Sequence, residues 1–364
     1  MNNNSVLIVN RDDLRQCGVL PTAISKPGDG DALLRIETFG LSSNNITYLA
    51  LGDTMPYREF FPVRDESMGA GWCCPPVWGV GNVVESKSPT LNTGHRVYGF
   101  FPAARFVTLK PAEATPGGFR VERSHIPRKF ALYHQYGVLG RDPFFLPEQE
   151  EMMVVMRPLF LTGLLLDDYL REVEFGGASR VFVSSAASKT AYGFASAFSR
   201  SRGAELIGLA SLASRDAAQG FDFYDRVVVY EEIDSLATDP PTIYVDISGS
   251  VAIRQRVVDH LEDGLKLIVS VGLTHWADGN YGSGDKEVGP RAEAFFAPGW
   301  SARRMREQGP AFLGGLLAGW QGQMEHVDRH FVVARESGSD SVVASYCAFA
   351  EGRIDPNRAV VHDL

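Results

Sequence analysis

The stretch Arg180-Val-Phe-Val-Ser-Ser-Ala-Ala-Ser-Lys-Thr-Ala191 decides how the centre of the chain is read. An apolar run, Arg180 to Val183, passes through a turn of small residues into a segment with apolar Ala191, Phe194, Ala195 and Phe198 on one helical face. The i, i+3, i+4, i+7 spacing predicts a helix that closes at Arg200, Arg202 and a Gly203 C-cap. Further apolar runs follow at Leu206–Ala210, Arg226–Tyr230, Thr242–Asp246 and Leu265–Val271, with room for helices between them. Near-continuous apolar strands alternating with helices make a parallel sheet covered on both faces, the α/β class.

A ligand of such a sheet binds beyond the carboxyl ends of the strands, where the strand order reverses. The turn Ser184–Thr190 lies at that end. Its small residues let a pyrophosphate approach the unpaired amides of a helix N-terminus, which makes Ser185, Ser188, Lys189 and Thr190 candidate cofactor contacts. The competing reading is a plain polar turn with an N-cap. A phosphate-binding P-loop is set aside, because the glycines it requires fall on Val183 and Ser188. After the second strand a NAD site carries an acid for the ribose hydroxyls, but here Leu209-Ala-Ser211 is followed by Arg215, with no acid before Asp216. A hydroxyl and a guanidinium suit a 2′-phosphate, so Ser211 and Arg215 favour NADP(H) over NAD(H). Otherwise Arg215 is a solvated helix residue. Tyr230, Ser248, Gly249, Gly272 and Thr274 follow other strand ends and join the candidate cofactor set.

Before residue 155 the rhythm differs. Short alternating or apolar stretches, Ala32–Glu37, Val80–Val84, Arg96–Phe101 and Arg105–Leu109, are separated by turns such as Pro27-Gly28-Asp29-Gly30 and Pro116-Gly117-Gly118, which read as a β-rich barrel or sandwich. The 364 residues fit two domains at roughly 150 residues each. The 45% hydrophobic and 22% charged content is that of a core-forming chain. A net charge of −9 argues against a general nucleic-acid binder. Cys17, Cys73, Cys74 and Cys347 form no Cys-x-x-Cys pair and read as neither a disulfide scaffold nor a zinc finger. The apolar Val6–Val9 is too short for a signal peptide core, and Met152–Met156 is stopped by Arg157-Pro158 well short of the ~20 apolar residues of a membrane helix. The expectation is a soluble, cytoplasmic protein.

Several stretches resemble the medium-chain dehydrogenase/reductase superfamily, in its zinc-independent quinone-oxidoreductase and enoyl-reductase branch. They are Leu33–Gly40, Gly79-Val-Gly-Asn-Val-Val84, Gly94-His-Arg-Val-Tyr-Gly99, Leu161-Thr-Gly-Leu164, and Glu351-Gly-Arg353 with Val360-Val361. More narrowly, Asn45–Tyr48, Tyr57–Pro62, Pro76–Gly79, Tyr98–Pro102, Ser184–Thr190 and Thr274–Trp276 resemble the DUF2855 family, which brings no assigned reaction. The resemblance implies a GroES-like catalytic domain over residues 1–157 and 301–364 and a Rossmann-type doubly wound sheet over 158–300, paired as a homodimer. Two departures stand out. The positions of the superfamily's zinc ligands read Gly40–Asn45 and Pro76–Gly79, so no metal is expected, and the glycine fingerprint becomes Ser185-x-x-Ser188-Lys189-x-Ala191.

Hydride transfer without a metal needs an apolar slot and a polar donor. Tyr48, Tyr57 and Asn45 are the candidate donors in the N-terminal half, and His275 is the candidate after the strand ending at Val271. Both tyrosines read equally as packing residues. Phe60, Trp78, Tyr133, His134 and Trp276 are candidate substrate contacts for an apolar, aromatic or acyl small molecule, or else plain core. The leading expectation is an NADP(H)-dependent reductase of an enone, enoyl or quinone-like substrate, with hydride delivered in the interdomain cleft. The alternatives are a redox-neutral lyase, isomerase or hydrolase on the same fold, and a non-catalytic NADP-binding protein.

Overall fold

The apolar Val6–Val9 forms the middle of strand β1 (Asn3–Asn10), paired antiparallel with β2 (Cys17–Ala23) in the computed structural model, which describes residues 3–52, 54–63, 71–200, 203–271 and 292–364. The alternation from Ala32 becomes β3 (Ala32–Leu41), whose even positions Ala32, Leu34 and Ile36 are buried. Helix α1 (Ser43–Ala50) follows, then β4 (Trp72–Cys73), β5 (Pro76–Ser86), β6 (Arg96–Pro102), β7 (Phe106–Leu109) and β8 (Pro111–Thr115). The Pro116-Gly117 turn connects β8 to β9 (Gly118–Val121), and β10 (Gln135–Val138) completes this part.

Helix α2 (Glu150–Glu172) runs straight through Pro158, which the sequence marked only as the end of an apolar run. No helix among the described residues is long and apolar enough to cross a membrane. Strand and helix then alternate: β11 (Arg180–Val183), α3 (Lys189–Ser199), β12 (Glu205–Ala210), α4 (Arg215–Gln219), β13 (Arg226–Val229), β14 (Thr242–Asp246), α5 (Val251–Leu261), β15 (Leu265–Ser270) and β16 (Ala292–Ala294). They are followed by α6 (Ala297–Gln308), α7 (Pro310–Met324), β17 (Val332–Ser337), α8 (Ser339–Ala350) and β18 (Arg358–Asp363).

The chain divides into two units, Met1–Val155 with Val333–Leu364, and Met156–Val332. The first holds a three-stranded sheet, β2-β1-β4, and a larger one, β17-β18-β3-β5-β6-β10-β9-β8, with β7 on β3. The C-terminal return is stitched in by β18, whose Val360, Val361 and His362 pair antiparallel with Leu41, Gly40 and Phe39. The second unit is a parallel sheet in the order β13-β12-β11-β14-β15-β16. This is the doubly wound arrangement, with its reversal at β11 and β14. Its core joins Val181, Val183, Phe194, Phe198, Ile243 and Val245.

The sequence reading starts the C-terminal return at residue 301, whereas α6 and α7 pack in the second unit. Trp320 is fully buried with its ring 6.3 Å from Phe160, Gln323 Nε2 donates to the Gly193 carbonyl at 2.6 Å, and Arg304 pairs with Asp168 and Glu172. The Gly163 of the Leu161–Leu164 stretch also has a physical reason: a Cβ there would lie 2.3 Å from the Phe194 backbone nitrogen, so α2 and α3 touch backbone to backbone. Gly203 is not the C-cap of α3. The helix ends at Arg200 in right-handed conformation, and Gly203 instead leaves space for the Phe175 ring.

Candidate functional site

In the second unit the turn after β11 is built around two serines. Ser184 is fully buried, its hydroxyl donating to Asp246 Oδ1 at 3.1 Å and accepting the Ile247 and Ser248 amides at 2.9 and 3.0 Å. It thereby ties the carboxyl ends of β11 and β14 together at the reversal. Ser185 adopts φ +50°, the left-handed backbone that glycine adopts freely, and its amide donates to the Tyr230 hydroxyl at 2.8 Å. Tyr224 fastens the turn by donating to the Ala186 carbonyl at 2.9 Å. Ser188 is the N-cap of α3, accepting from the Ala191 amide at 3.2 Å, and half-buried Thr190 lies in the first helical turn. The helix therefore presents its N-terminal amides at the strand ends, the arrangement that favours an anion. Lys189 is buried, with its ammonium 5.4 Å from the Phe331 ring centroid.

Beyond β12, Ser211 is exposed and shares a hydrogen bond of 2.8 Å with Ser214. The Arg215 side chain is 43% exposed; its Nε donates to Asp216 at 3.2 Å, and its two terminal nitrogens bond no described residue. This guanidinium is open to a ligand at the end of the second strand.

The sequence reading passed over Asp246 and Arg254, which organise the reversal. Asp246 is fully buried; its Oδ1 accepts from Tyr244, Ser248 and the Gly249 amide at 3.1, 2.8 and 2.9 Å, and its Oδ2 accepts from Arg254 Nε at 2.9 Å. Arg254 also donates to Ser270 at the end of β15, at 3.3 Å. Ser248 and Gly249, expected as cofactor contacts, are thus members of a buried polar hub. A strand-terminal acid followed by a Ser-Gly turn was the legible signal, since a buried carboxylate needs a cation and donors. Gly272, Thr274, His275 and Trp276 lie outside the described residues.

In the first unit the remaining candidates converge. Tyr48 on α1, Tyr57 in the helical turn Pro56–Glu59, and Tyr133 in the turn Arg128–His134 meet against Trp78 of β5 and Phe100 of β6. The Trp78 indole donates to the Tyr48 hydroxyl at 3.1 Å, and the Tyr57 and Tyr133 hydroxyls share a bond of 3.0 Å. Phe60 packs edge-on against Phe100 at 5.2 Å and His134 at 5.6 Å. Tyr48, Tyr57, Tyr133, His134 and Phe60 are all buried, while Trp78 is half-buried. Burial pushes the Tyr48 phenol up to about 12, tempered by Trp78, Asn44 and Tyr133, and raises Tyr57 too. Tyr133 is raised well above its ordinary value by burial, then by Tyr57 and Tyr48. Burial and then the Arg123 and Arg120 charges push His134 down to about 4.

Asn45 has a structural duty here: its Oδ1 accepts the amide of the N-cap residue Ser42 at 2.8 Å and its Nδ2 donates to the Pro76 carbonyl at 2.9 Å, so it completes the capping box of α1 and ties the helix to β5. Among the described residues no three His, Cys, Asp or Glu side chains group as metal ligands.

The family model described as "Protein of unknown function (DUF2855)" matches residues 39–355. No curated protein matches the chain. Similar solved structures include CurA from Vibrio vulnificus in complex with NADPH, at TM-score 0.61 and 13% identity over 99% of this chain and 98% of that one. The quinone oxidoreductase from Coxiella burnetii aligns at TM-score 0.53 and 13% identity over 100% and 99% of the two chains. The yhdH oxidoreductase from Salmonella enterica in complex with NADP aligns at 0.52 and 12% over 99% of each. At these identities the likeness establishes a shared fold, a GroES-like unit with a Rossmann-type unit.

Proposed function

The chain belongs to the DUF2855 family of proteins of unknown function, and from that premise we propose that it is an NADP(H)-dependent, zinc-independent oxidoreductase that reduces an activated C=C or carbonyl of an enone, enoyl or quinone-like substrate. The observation that carries this reading is the reversal of strand order at β11 and β14, with the small-residue turn and the head of α3 at the strand ends. CurA and yhdH, which share the fold, were solved with NADPH and NADP.

The turn from Ser185 to Thr190 would take the pyrophosphate, and Ser211 with the open Arg215 guanidinium the 2′-phosphate. Bound there, the nicotinamide cofactor supplies the hydride. Within the first unit, the aromatic cluster offers apolar walls and phenol hydroxyls. Tyr57 is the donor of choice, because its hydroxyl has Tyr133 as its one described hydrogen-bond partner. Tyr133, already hydrogen-bonded to that hydroxyl, would donate to the phenolate that Tyr57 leaves.

Titration of the purified protein with NADPH and NADH, read by cofactor fluorescence, followed by oxidation assays against enones, quinones and enoyl thioesters, tests the reading. Tighter NADPH binding with turnover is expected; failure to bind either cofactor overturns it. Arg215→Ala should weaken NADPH by about tenfold or more while leaving NADH nearly unchanged. Equal weakening of both refutes the 2′-phosphate role.

A second reading, a redox-neutral enzyme or a non-catalytic NADP-binding protein, is favoured by one observation. The Tyr230 hydroxyl already occupies the Ser185 amide, a group of the turn that would face a phosphate. Binding without turnover supports that reading.

A further inference from the structure

Cys17, the first residue of β2, and Cys347, on α8, come from opposite ends of the chain, yet their sulfurs lie 3.3 Å apart. We propose that this thiol pair is an oxidation site, which a small-molecule disulfide converts into a bridge fastening α8 to the N-terminal hairpin.

A disulfide needs its sulfurs about 2.0 Å apart, so side-chain rotation has roughly 1.3 Å to close. Both side chains are half-buried. A groove lined by Gly18, Val19, Pro21, Ser339, Asp340 and Val343 runs between the same two elements, β2 and α8. Cys17 Sγ also lies 3.9 Å from the Val343 carbonyl and Cys347 Sγ 3.7 Å from that of Arg15, which holds the two thiols facing each other. The other two cysteines are buried and turned elsewhere, Cys73 to the Val9 carbonyl at 3.5 Å and Cys74 to that of Pro75 at 3.6 Å.

Burial and the neighbouring Cys347 push the Cys17 thiol up to about 12, so Cys347 is the thiol that begins the exchange. Its thiolate attacks one sulfur of a disulfide RSSR, forming a mixed disulfide and expelling RS⁻. Cys17 sulfur then attacks the Cys347 sulfur and expels the second RS⁻. The two thiol protons end on the two released thiols, and the protein loses two electrons to RSSR.

Incubating the folded protein with oxidised glutathione should lower its titratable thiols from four to two. The intact mass should fall by two hydrogens, and a non-reducing digest should contain the Cys17–Cys347 cross-linked peptide. Thermal unfolding should shift upward and return on adding dithiothreitol. The variants Cys17→Ser and Cys347→Ser should each lose the cross-link and the thermal shift while folding as before. Four thiols persisting under conditions that oxidise the urea-unfolded chain would overturn the proposal. So would a bridge involving Cys73 or Cys74, or glutathione adducts alone on the unsubstituted protein.

Discussion

Ser185 illustrates how a single residue departs from a pattern without leaving it. Its φ of +50° is a conformation that glycine adopts freely and other residues reach at a cost. The left-handed turn is nevertheless held on a serine, because Tyr230 accepts from its amide and the preceding Ser184 is anchored by the Ile247 amide. Ser185→Gly should stabilise the protein by about 1 kcal/mol, read from urea unfolding; a loss of stability would show that the serine side chain contributes more than its backbone strain removes. Tyr57→Phe tests the proposed proton donor. Removing one hydroxyl should lower kcat by about 10²-fold with NADPH affinity unchanged, measured by steady-state kinetics and fluorescence titration. An unaltered kcat would leave Tyr57 as a packing residue. Which of these roles was legible differs by residue. Tyr48, Tyr57, Tyr133 and Trp78 were marked by type and do converge, whereas Asn45 completes the capping box of α1 and bonds the Pro76 carbonyl, a role set by backbone groups that sequence does not locate.

Among the elements, the segment from β14 into α5 shows what a strand end needs. Asp246 closes β14, and Arg254 on α5 neutralises it out of water. Asp246→Asn leaves a buried guanidinium without its counter-charge and should cost about 3 kcal/mol or more. The exposed pair that Arg256 of the same helix makes with Asp234, in the turn Tyr230–Ser235, is the control: Asp234→Asn should change stability far less, because water screens both partners. Equal losses in the two variants, measured by urea denaturation, would deny the hub its structural role. The strands themselves were legible. Thr242–Asp246 was located to the residue and β11 and β12 within one, since buried parallel strands announce themselves by continuous apolar runs. The passage of α2 through Pro158 was not, because a proline's local penalty argues for a helix end and tertiary packing overrides it here.

At the scale of the whole molecule, burial makes stability depend on pH. His134 is pushed down to about 4, and His330 and His362 are lowered as well, each mainly by burial. A histidine whose folded value lies below its ordinary 6.5 takes up a proton on unfolding. Its stabilising contribution is fully present above about pH 6.5 and is lost as the pH falls from there toward 4. The melting temperature should therefore drop across that window, and His134→Gln should flatten part of the drop; an unchanged slope would mean that other groups carry it. The sequence by itself determined the class of each half, the parallel sheet with its turn of small residues, and the basic residue beyond the second strand. Periodicity and turn chemistry are local properties and survive in one dimension. Only the tertiary structure decided that α6 and α7 belong with the sheet, that Lys189 packs on Phe331, that Asp246 is paired, and that two cysteines 330 positions apart meet. Each of these depends on burial and hydrogen bonding between residues distant in the chain, and folding alone brings such residues together.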